Sequence, residues 1–354
     1  MNDRLATERS VSVAESGRST RFITCSAGIR VTHSGRRGIS SPGYLVLVVL
    51  AAMAGCAGRQ PLIAPEVNSG GLPVAVELER TPFFPQADYQ CGPAALATVL
   101  GASGVEVTAE ELTEKVYIPE RRGSLQIELE AAARSLGRLS YVIDPDLGSL
   151  LGELSAGRPV LVFQNLGPGF APVWHYAVVI GYDASEETFT LRSGTTKRQL
   201  LTADAFARTW AAGEYWAIVV LRPGELPVNG DRVRYLKAAT ALERAGRGGA
   251  ALTALKAATE HWPQSASTHF ALANAYRAIG DSLQAERSYR LALTVEPGDV
   301  AAMNNLARLL LEQNRCDEAR ETMRPAMIAP AANPGLQGAV ESTNEAIRRL
   351  CTVD

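Results

Sequence analysis

The feature that most constrains the fold of this chain is a 34-residue period in its C-terminal third. Pro263 and Pro297 are 34 residues apart, as are Gly246 and Gly280. Two further phases of the period hold small residues, which are Ala251, Ala285 and Ala319 in one phase and Ala258, Ala292 and Ala326 in the other. A large apolar residue lies between these phases in each copy, namely Leu255, Tyr289 and Met323. Such a period predicts stacked helical pairs, because small residues let helices approach and large residues fill the gaps.

The pattern resembles the tetratricopeptide repeat, and the middle copy matches best. That copy carries Leu272, Ala273, Tyr276, Ala285, Tyr289, Ala292 and Pro297. We expect an all-α solenoid over residues 232–354, with three repeats over 232–333 and a capping helix over 338–351. Ala-rich helices in accidental register are the alternative. Grooves of such solenoids bind peptides or partner helices, so the resemblance implies a protein partner.

Residues 79–222 have a mixed pattern that predicts an α+β domain. Helices are expected from Gly92-Pro93 onward and over residues 125–136, where Gly137 is a natural stop. Strands are expected over residues 139–143, 159–163, 175–182, 188–192 and 215–221, and the third and fourth form a hairpin with its turn at 183–187. Pro and Gly residues over 223–231 predict a linker to the repeats.

The N-terminal segment, residues 1–55, has the features of a targeting sequence. A basic pair, Arg36-Arg37, precedes an apolar run over 44–54 that is too short to span a membrane, which takes roughly 20 residues. Small residues then lead directly into Cys56, an arrangement that resembles the lipobox of bacterial lipoproteins and implies lipidation of Cys56. An ordinary signal peptide with an incidental cysteine is the alternative. Residues 56–78 are rich in turn-forming residues and predict a tether.

Composition excludes several function classes. The formal net charge of −2 gives no basic surface for nucleic acid, and we expect no nucleic-acid partner. The five cysteines include no Cys-x-x-Cys pair, and the chain has no His-Glu-x-x-His motif. We therefore expect neither a metal nor a cofactor. Contact with the membrane is expected through the lipid anchor only, with the protein exported into the cell envelope and facing the periplasm.

The segment that carries chemistry is the one in which Cys91 precedes Gly92-Pro93. A cysteine at the start of a helix lies near free backbone N–H groups and the positive end of the helix dipole. Both favour the thiolate, so the sequence predicts a lowered pKa for Cys91. A cysteine nucleophile also needs a proton acceptor, usually a histidine.

Counting restricts that acceptor to one residue. The chain has four histidines, and of these only His175 lies between residues 57 and 230, where Cys91 is likewise the only cysteine. A buried, inert cysteine and a structural histidine are the alternative reading of the pair. A Cys–His dyad in this domain must therefore consist of Cys91 and His175.

Two further positions complete the predicted site. A hairpin turn centred on residue 184 would place His175 opposite Ser193, so Ser193 or its neighbour Arg192 is expected to orient the imidazole. The oxyanion of an acyl-transfer intermediate needs donors beside the sulfur, which the Cys91 N–H and the amide of Gln86 or Gln90 would supply. Gln86 is preferred, because a residue directly before the nucleophile usually points away from it. Trp174 is expected to flank the histidine.

Three motifs together resemble the bacteriocin-processing, double-glycine family of papain-like cysteine peptidases. These are Gln86 followed by Cys-Gly-Pro-Ala-Ala-Leu, the Gly157-Arg158-Pro159 strand start, and His-Tyr-Ala-Val-Val-Ile-Gly-Tyr from His175. The resemblance covers about residues 80–220 and implies a papain-like fold, with Cys91 as nucleophile, His175 as general base and acid, and Gln86 as oxyanion donor. Two features depart from the family. Gln86 is one residue closer to the cysteine than usual, and Arg192-Ser193-Gly194 stands where the family has Asp-Pro.

The sequence thus predicts a lipid-anchored cysteine peptidase that hydrolyses a peptide bond through an acyl-enzyme, with repeats that recruit a substrate or partner. Acyl transfer to an amine is mechanistically close and has the same motif. The alternative from another class is a catalytically degenerate, peptide-binding lipoprotein that acts as an envelope adaptor, and the missing carboxylate favours it. A purely structural assembly factor is a third reading.

The two C-terminal cysteines predict a disulfide. Cys316 opens the second helix of the last repeat, and Cys351 ends the capping helix. Antiparallel packing of these helices would bring the two residues side by side, and an oxidising compartment would let them bond. Two buried thiols in a helical core are the alternative.

Overall fold

The computed structural model describes residues 60–86, 88–328 and 334–351, in which an α+β domain is followed by a run of helices. The targeting segment predicted over residues 1–55 and the lipidation site predicted at Cys56 lie outside these described residues. Among the helices that are described, none is both long enough and apolar enough to cross a membrane.

The first domain is built on one antiparallel sheet with seven strands in the described residues, ordered β2-β7-β3-β4-β5-β6, and β1 pairs with the end of β4. The strands are β1 (Ala75–Glu77), β2 (Leu139–Val142), β3 (Val160–Asn165), β4 (Trp174–Asp183), β5 (Thr188–Ser193), β6 (Thr196–Thr202) and β7 (Ala217–Leu221). The helices are α1 (Ile63–Gly70), α2 (Cys91–Ala102), α3 (Ala109–Val116), α4 (Gln126–Ser135), α5 (Leu147–Ser155) and α6 (Ala203–Ala211), with a short 3₁₀ helix at Pro119–Arg121.

The sheet separates two hydrophobic cores. Alternate residues of a strand point to opposite faces, so Tyr176 and Val178 of β4 pack towards α2 while Ala177 and Val179 pack towards α5 and α6. Helix α2 is apolar on all sides and buried from residue 92 to residue 100, which makes it the central helix of the domain. Its first residue, Cys91, therefore lies where this buried helix reaches the surface.

The segment predicted as a tether contains ordered elements in its described part. The Glu187 carboxylate accepts hydrogen bonds from the backbone N–H groups of Leu62, Ile63 and Ala64 at 2.8 to 3.1 Å, at the N-terminus of α1. Strand β1 then pairs with β4, with Ala75 opposite Asp183. Residues 62–77 therefore belong to the folded domain, and the tether predicted over 56–78 is wrong for this stretch.

The second domain consists of three helical pairs and a capping helix within the described residues. They are α7 (Arg232–Arg244), α8 (Gly248–His261), α9 (Ala266–Ala278), α10 (Ser282–Val295), α11 (Val300–Glu312), α12 (Cys316–Ile328) and α13 (Pro334–Leu350). The periodic Ala251, Ala285 and Ala319 are fully buried, as is Tyr289, so the repeat positions predicted from the sequence form the core of the solenoid. The capping helix begins at Pro334, four residues before the predicted start at residue 338, because proline fits the first helical position.

The connection between the domains is ordered. The backbone N–H of Val228 donates to the Glu153 carboxylate at 2.6 Å, and the N–H of Asp231 donates to the Tyr141 hydroxyl at 2.8 Å. Tyr235 of α7 belongs to the same hydrophobic core as β2. Residues 223–231 thus join two domains that share a core.

A disulfide joins Cys316 at the start of α12 to Cys351 beyond the end of α13, with the two Cα atoms 5.5 Å apart. This is the pairing predicted from the sequence. It fixes the capping helix to the last repeat.

Candidate active site

Cys91 is the first residue of α2 and is the only free cysteine among the described residues. Burial raises the pKa of its thiol, although hydrogen bonds from the backbone N–H groups of Tyr176, Gly92 and Cys91 itself act in the opposite direction. The lowered pKa predicted from the helix start is therefore wrong in direction. The cause is the depth of the site, since the helix that supplies the favourable N–H groups also encloses the sulfur in apolar surroundings.

His175 is the second residue of β4, and the backbone N–H of the next residue, Tyr176, hydrogen-bonds the Cys91 sulfur. The side chain is 9% exposed, and burial lowers the pKa of its imidazole. Cys91 and His175 line the same cleft, which has a volume of about 750 Å³. The two residues predicted as a dyad are thus brought to one site.

Ser193 contacts the histidine, but by a route that differs from the predicted one. Its hydroxyl oxygen lies 2.9 Å from His175 Nε2. The β4–β5 ladder pairs Val178 with Arg192, and the same register places Ala177 opposite Ser193. The prediction that His175 lies directly opposite Ser193 is therefore wrong by two residues. The contact is a diagonal one across the strands, which lies within reach of a long or aromatic side chain.

Arg192, the alternative orienting residue, has a different set of partners. Its guanidinium donates to the backbone carbonyls of Glu79, Thr81 and Lys197, which joins the segment after β1 and strand β6 to β5. The side chain is buried, and this lowers its pKa. The structure therefore gives Arg192 a structural role and leaves Ser193 as the partner of the imidazole.

The two glutamines considered as oxyanion donors differ in the surroundings of their side chains. Gln86 lines the cleft together with Cys91, and its backbone N–H donates to the Gly194 carbonyl at 3.2 Å, which fixes it beside the Ser193 loop. The side-chain oxygen of Gln90 instead accepts a hydrogen bond from the Thr113 hydroxyl at 3.4 Å, towards α3. Of the two glutamines, Gln86 thus lines the cleft that contains Cys91.

Aromatic residues form one wall of the cleft. Trp174 stacks on Phe163 with ring centroids 5.2 Å apart and an interplanar angle of 13°. Trp174 precedes His175 and is 53% exposed, so it flanks the histidine while its outer face remains open to a ligand. Tyr176 follows His175 in the chain, and burial raises the pKa of its hydroxyl.

The cleft is also lined by residues that the sequence pattern did not single out. They are Arg121, Arg122 and Ser124, in the turn after α3, and Tyr89, two residues before Cys91. A methyl group on Gly92 would lie 2.5 Å from the Ser124 hydroxyl oxygen, so this close approach requires glycine after the nucleophile. Tyr89 and Arg122 have positive φ angles of 62° and 48°, which no sequence motif signals for these residue types.

Cys91, His175 and Gln86, the predicted nucleophile, base and oxyanion donor, all line this cleft. Among the residues that the structure describes, no cluster of three His, Cys, Asp or Glu residues could hold a metal ion. What the site can do chemically is acyl transfer, with attack by a thiol whose proton passes to a neutral imidazole.

Comparisons with known proteins agree with this architecture. Residues 78–217 match the Peptidase_C39 like family, and residues 236–282 and 270–334 match the tetratricopeptide repeat. An uncharacterized protein of Methanothermobacter thermautotrophicus is 32% identical over 135 residues, which are 38% of this chain and 84% of that protein.

Two solved structures have similar folds over single domains. A candidate C39-like peptidase from Bacillus anthracis is 18% identical, with a TM-score of 0.35, and the match covers 42% of this chain and 98% of that one. The type III secretion chaperone SycD of Yersinia enterocolitica, in complex with a peptide of the translocator YopD, is 15% identical, with a TM-score of 0.32 and coverage of 34% and 91%. The chain therefore contains a C39-like peptidase domain over residues 78–217, followed by tetratricopeptide repeats over residues 236–334.

Proposed function

We propose that this protein is a cysteine peptidase that cleaves peptide bonds through Cys91 and His175. The observation that carries the proposal is the meeting of three groups at one cleft. The sulfur stands at the start of a buried helix, backbone N–H groups point at it, and the histidine next to one of those N–H groups is held by Ser193. A structural cysteine would need none of these partners.

In the proposed reaction the pair starts uncharged. The Ser193 hydroxyl occupies Nε2, so Nδ1 of His175 accepts the thiol proton as the sulfur attacks the substrate carbonyl. The resulting oxyanion receives hydrogen bonds from the Cys91 N–H and the Gln86 amide. The imidazolium then donates its proton to the leaving amine, and water hydrolyses the thioester by the reverse sequence of proton transfers.

The decisive experiment compares cleavage of a mixed peptide library by the full chain and three variants. We expect Cys91→Ser and His175→Ala to lose activity by about 10²-fold or more, because each removes a group that acts in the transition state. His261→Ala is the matched control, since that histidine lies at the exposed end of α8 in the repeats. Equal loss in all three variants, or no loss in any, would contradict the dyad.

A second candidate function is a peptide-binding lipoprotein without turnover. Two observations favour it, namely that burial shifts the pKa values of both dyad residues towards their uncharged forms and that a hydroxyl stands where the related peptidases carry a carboxylate. In this case library peptides would bind wild type and Cys91→Ser with equal affinity, and none would be cleaved. Cleavage by the wild type alone removes this candidate.

We also propose that the chain is exported and anchored to the cell envelope through a lipid on Cys56. The support is the apolar run that ends in small residues before Cys56, followed within a few residues by the folded domain at Leu62. Metabolic labelling with a fatty-acid analogue should mark the wild type and spare Cys56→Ser. Cys25→Ser is the matched control, and labelling that survives in Cys56→Ser would contradict the anchor.

The tetratricopeptide repeats are proposed to bind a protein partner or a substrate. Repeats of this type present a groove to peptides or helices. In this chain α9 and α11 carry an amide cluster, in which the Asn305 side chain donates to Asn274 at 3.0 Å and the Tyr289 hydroxyl donates to the same oxygen at 2.6 Å. Such amides can pair with a peptide backbone.

A further inference from the structure

The cleft beside Cys91 is asymmetric in charge. Its described lining residues include two arginines, Arg121 and Arg122, and no aspartate or glutamate. Neither arginine makes an ion pair with a carboxylate in the described part of the chain. Two cations therefore face the cleft, and no carboxylate among the described residues forms an ion pair with them.

The turn that carries these arginines is built tightly. The N–H of Ile118 donates to the Gly123 carbonyl at 2.8 Å, and the N–H of Arg122 donates to the Pro119 carbonyl at 3.1 Å. The turn closes the 3₁₀ helix with Arg122 in the left-handed region at φ 48°, where glycine would be less strained. A bulky residue is thus kept at a position that disfavours it.

A second strained residue faces the first. Tyr89 has φ 62°, and the Arg122 guanidinium carbon lies 5.7 Å from the centroid of its ring. The tyrosine is 56% exposed, so this contact fixes the direction of the arginine without enclosing it. Backbone strain of this kind is concentrated at ligand clamps and active sites.

The cleft also has an apolar part. Trp174 stacks on Phe163, and Val173 of the β3–β4 loop is exposed. A cleft lined by both cationic and apolar side chains fits a peptide that carries a carboxylate and a hydrophobic side chain.

The arginines lie close to the point of attack. Ser124 packs directly on Gly92, the residue after the nucleophile, and Arg122 is two residues before Ser124. At about 3.8 Å between successive Cα atoms, Arg122 is within roughly two to three peptide units of the scissile bond.

We infer that the ligand of this cleft is a peptide with a carboxylate two to three residues from the bond at Cys91, which Arg121 and Arg122 bind. The inference rests on the proposed peptidase function for the meaning of the scissile bond, but not for the binding itself. The carboxylate can be an Asp or Glu side chain or the C-terminus of a short peptide, since both match the guanidinium fork.

The test uses fluorescent nonapeptides in which one position at a time is fixed as Glu or as Gln, each set made with a C-terminal acid and with a C-terminal amide. Binding is measured by anisotropy to full-length Cys91→Ser, so that no peptide is consumed. We expect Glu at one or two positions, or the terminal acid, to bind about tenfold more tightly than its neutral counterpart, as two partly exposed charge-assisted contacts would give.

The preference should disappear when both arginines are changed. In Cys91→Ser with Arg121→Gln and Arg122→Gln, the acidic peptides should lose their advantage and bind like the neutral ones. Arg287→Gln, which removes an exposed arginine from α10, is the matched control and should retain the preference. A paired reversal, Arg121→Glu with Arg122→Glu, should favour the same peptides with Lys at the sensitive position.

The outcomes separate this inference from the proposed function. If wild type cleaves nothing but Cys91→Ser still prefers acidic peptides through the two arginines, the peptidase proposal fails and the carboxylate site stands. If acidic and neutral peptides bind equally, if neither binds, or if the arginine changes weaken both alike, the inference is overturned whatever the cleavage assay shows.

Discussion

At the scale of single residues, burial determines the protonation state of the proposed dyad. It raises the pKa of the Cys91 thiol and lowers the pKa of the His175 imidazole, so both shifts favour the uncharged pair at neutral pH. The Ser193 hydroxyl fixes the ring through Nε2 but adds no negative charge there. We therefore expect the proton to move during attack, in contrast to a resting thiolate–imidazolium pair.

This protonation state predicts the pH dependence of activity. The acid limb of kcat/KM should lie below pH 6.5, the ordinary histidine value, because the lowered pKa keeps His175 neutral and basic into more acidic solution. Ser193→Asp places a carboxylate beside Nε2, which stabilises the imidazolium and raises the pKa of His175. The limb should then move up by about one pH unit or more, in a profile measured from about pH 4 to pH 9.

Ser193→Ala separates charge from positioning. It removes the hydrogen bond without adding a carboxylate, so kcat should fall while the acid limb does not move upward. An unchanged limb in Ser193→Asp would mean that residue 193 does not contact the histidine in the working enzyme.

At the scale of elements, the β4–β5 hairpin shows which features of a strand pair can be predicted from the sequence. The turn lies where Asp183 to Glu187 predicted it, because the Asp183 carboxylate accepts N–H groups of Ser185 and Glu186 and stabilises the turn locally. The register was not predictable in the same way. Glu187 adopts φ 49° and the ladder shifts between Val179 and Gly181, and both depend on three-dimensional packing.

The candidate site was likewise predictable only in part from the sequence. Cys91 and His175 could be found because a glycine–proline helix start and a lone histidine are visible in one dimension. The cleft arginines could not, since their turn depends on Arg122 in a left-handed conformation that its residue type does not indicate. The direction of the Cys91 pKa shift was also out of reach, because the depth to which α2 is buried is a property of the whole core.

Helix α1 provides the prediction at this scale. Its N-terminus is held by Glu187, which lies in the turn of a distant hairpin. The Glu187 carboxylate accepts hydrogen bonds from three backbone N–H groups at the start of α1. Glu187→Gln removes the charge at the positive end of the helix, which should lower the free energy of unfolding by about 1 kcal/mol. Hydrogen exchange at Leu62 to Ala64 should also accelerate.

The neighbouring Glu186 supplies the control. Its side chain is exposed in the same turn, so Glu186→Gln should leave both urea denaturation and exchange of α1 unchanged. Equal effects of the two substitutions would mean that Glu187 acts through general surface charge, and α1 would not depend on its carboxylate.

At the scale of the whole molecule, the peptidase domain and the first repeat share one hydrophobic core. Tyr235 and Ala239 of α7 pack in the core that contains Leu139 and Tyr141 of β2. Polar contacts reinforce the junction, since Arg234 pairs with Asp144 at 2.5 Å. The repeats therefore continue from the α+β domain through a shared core.

The shared core predicts that two truncations behave differently. Ending the chain at residue 230 removes all the helices from α7 to α13. Loss of α7 exposes the apolar surface of β2 and should abolish cooperative thermal unfolding and reaction of Cys91 with a small thiol probe. Ending it at residue 298 removes α11 to α13 but keeps α7 to α9, which complete that core. This shorter solenoid should lose stability in its last helices, because α10 then lacks its neighbour, while Cys91 labelling and the main transition are retained.

Comparison of the two truncations by circular dichroism and probe labelling tests whether the domains are one folding unit or two. If the chain ending at 230 unfolds cooperatively and labels as the full chain does, the peptidase domain folds alone, and the contacts of α7 with β2 only position the repeats. If both truncations fail, the stability of the catalytic domain depends on the entire solenoid, including the disulfide-linked cap, and not on the first repeat alone.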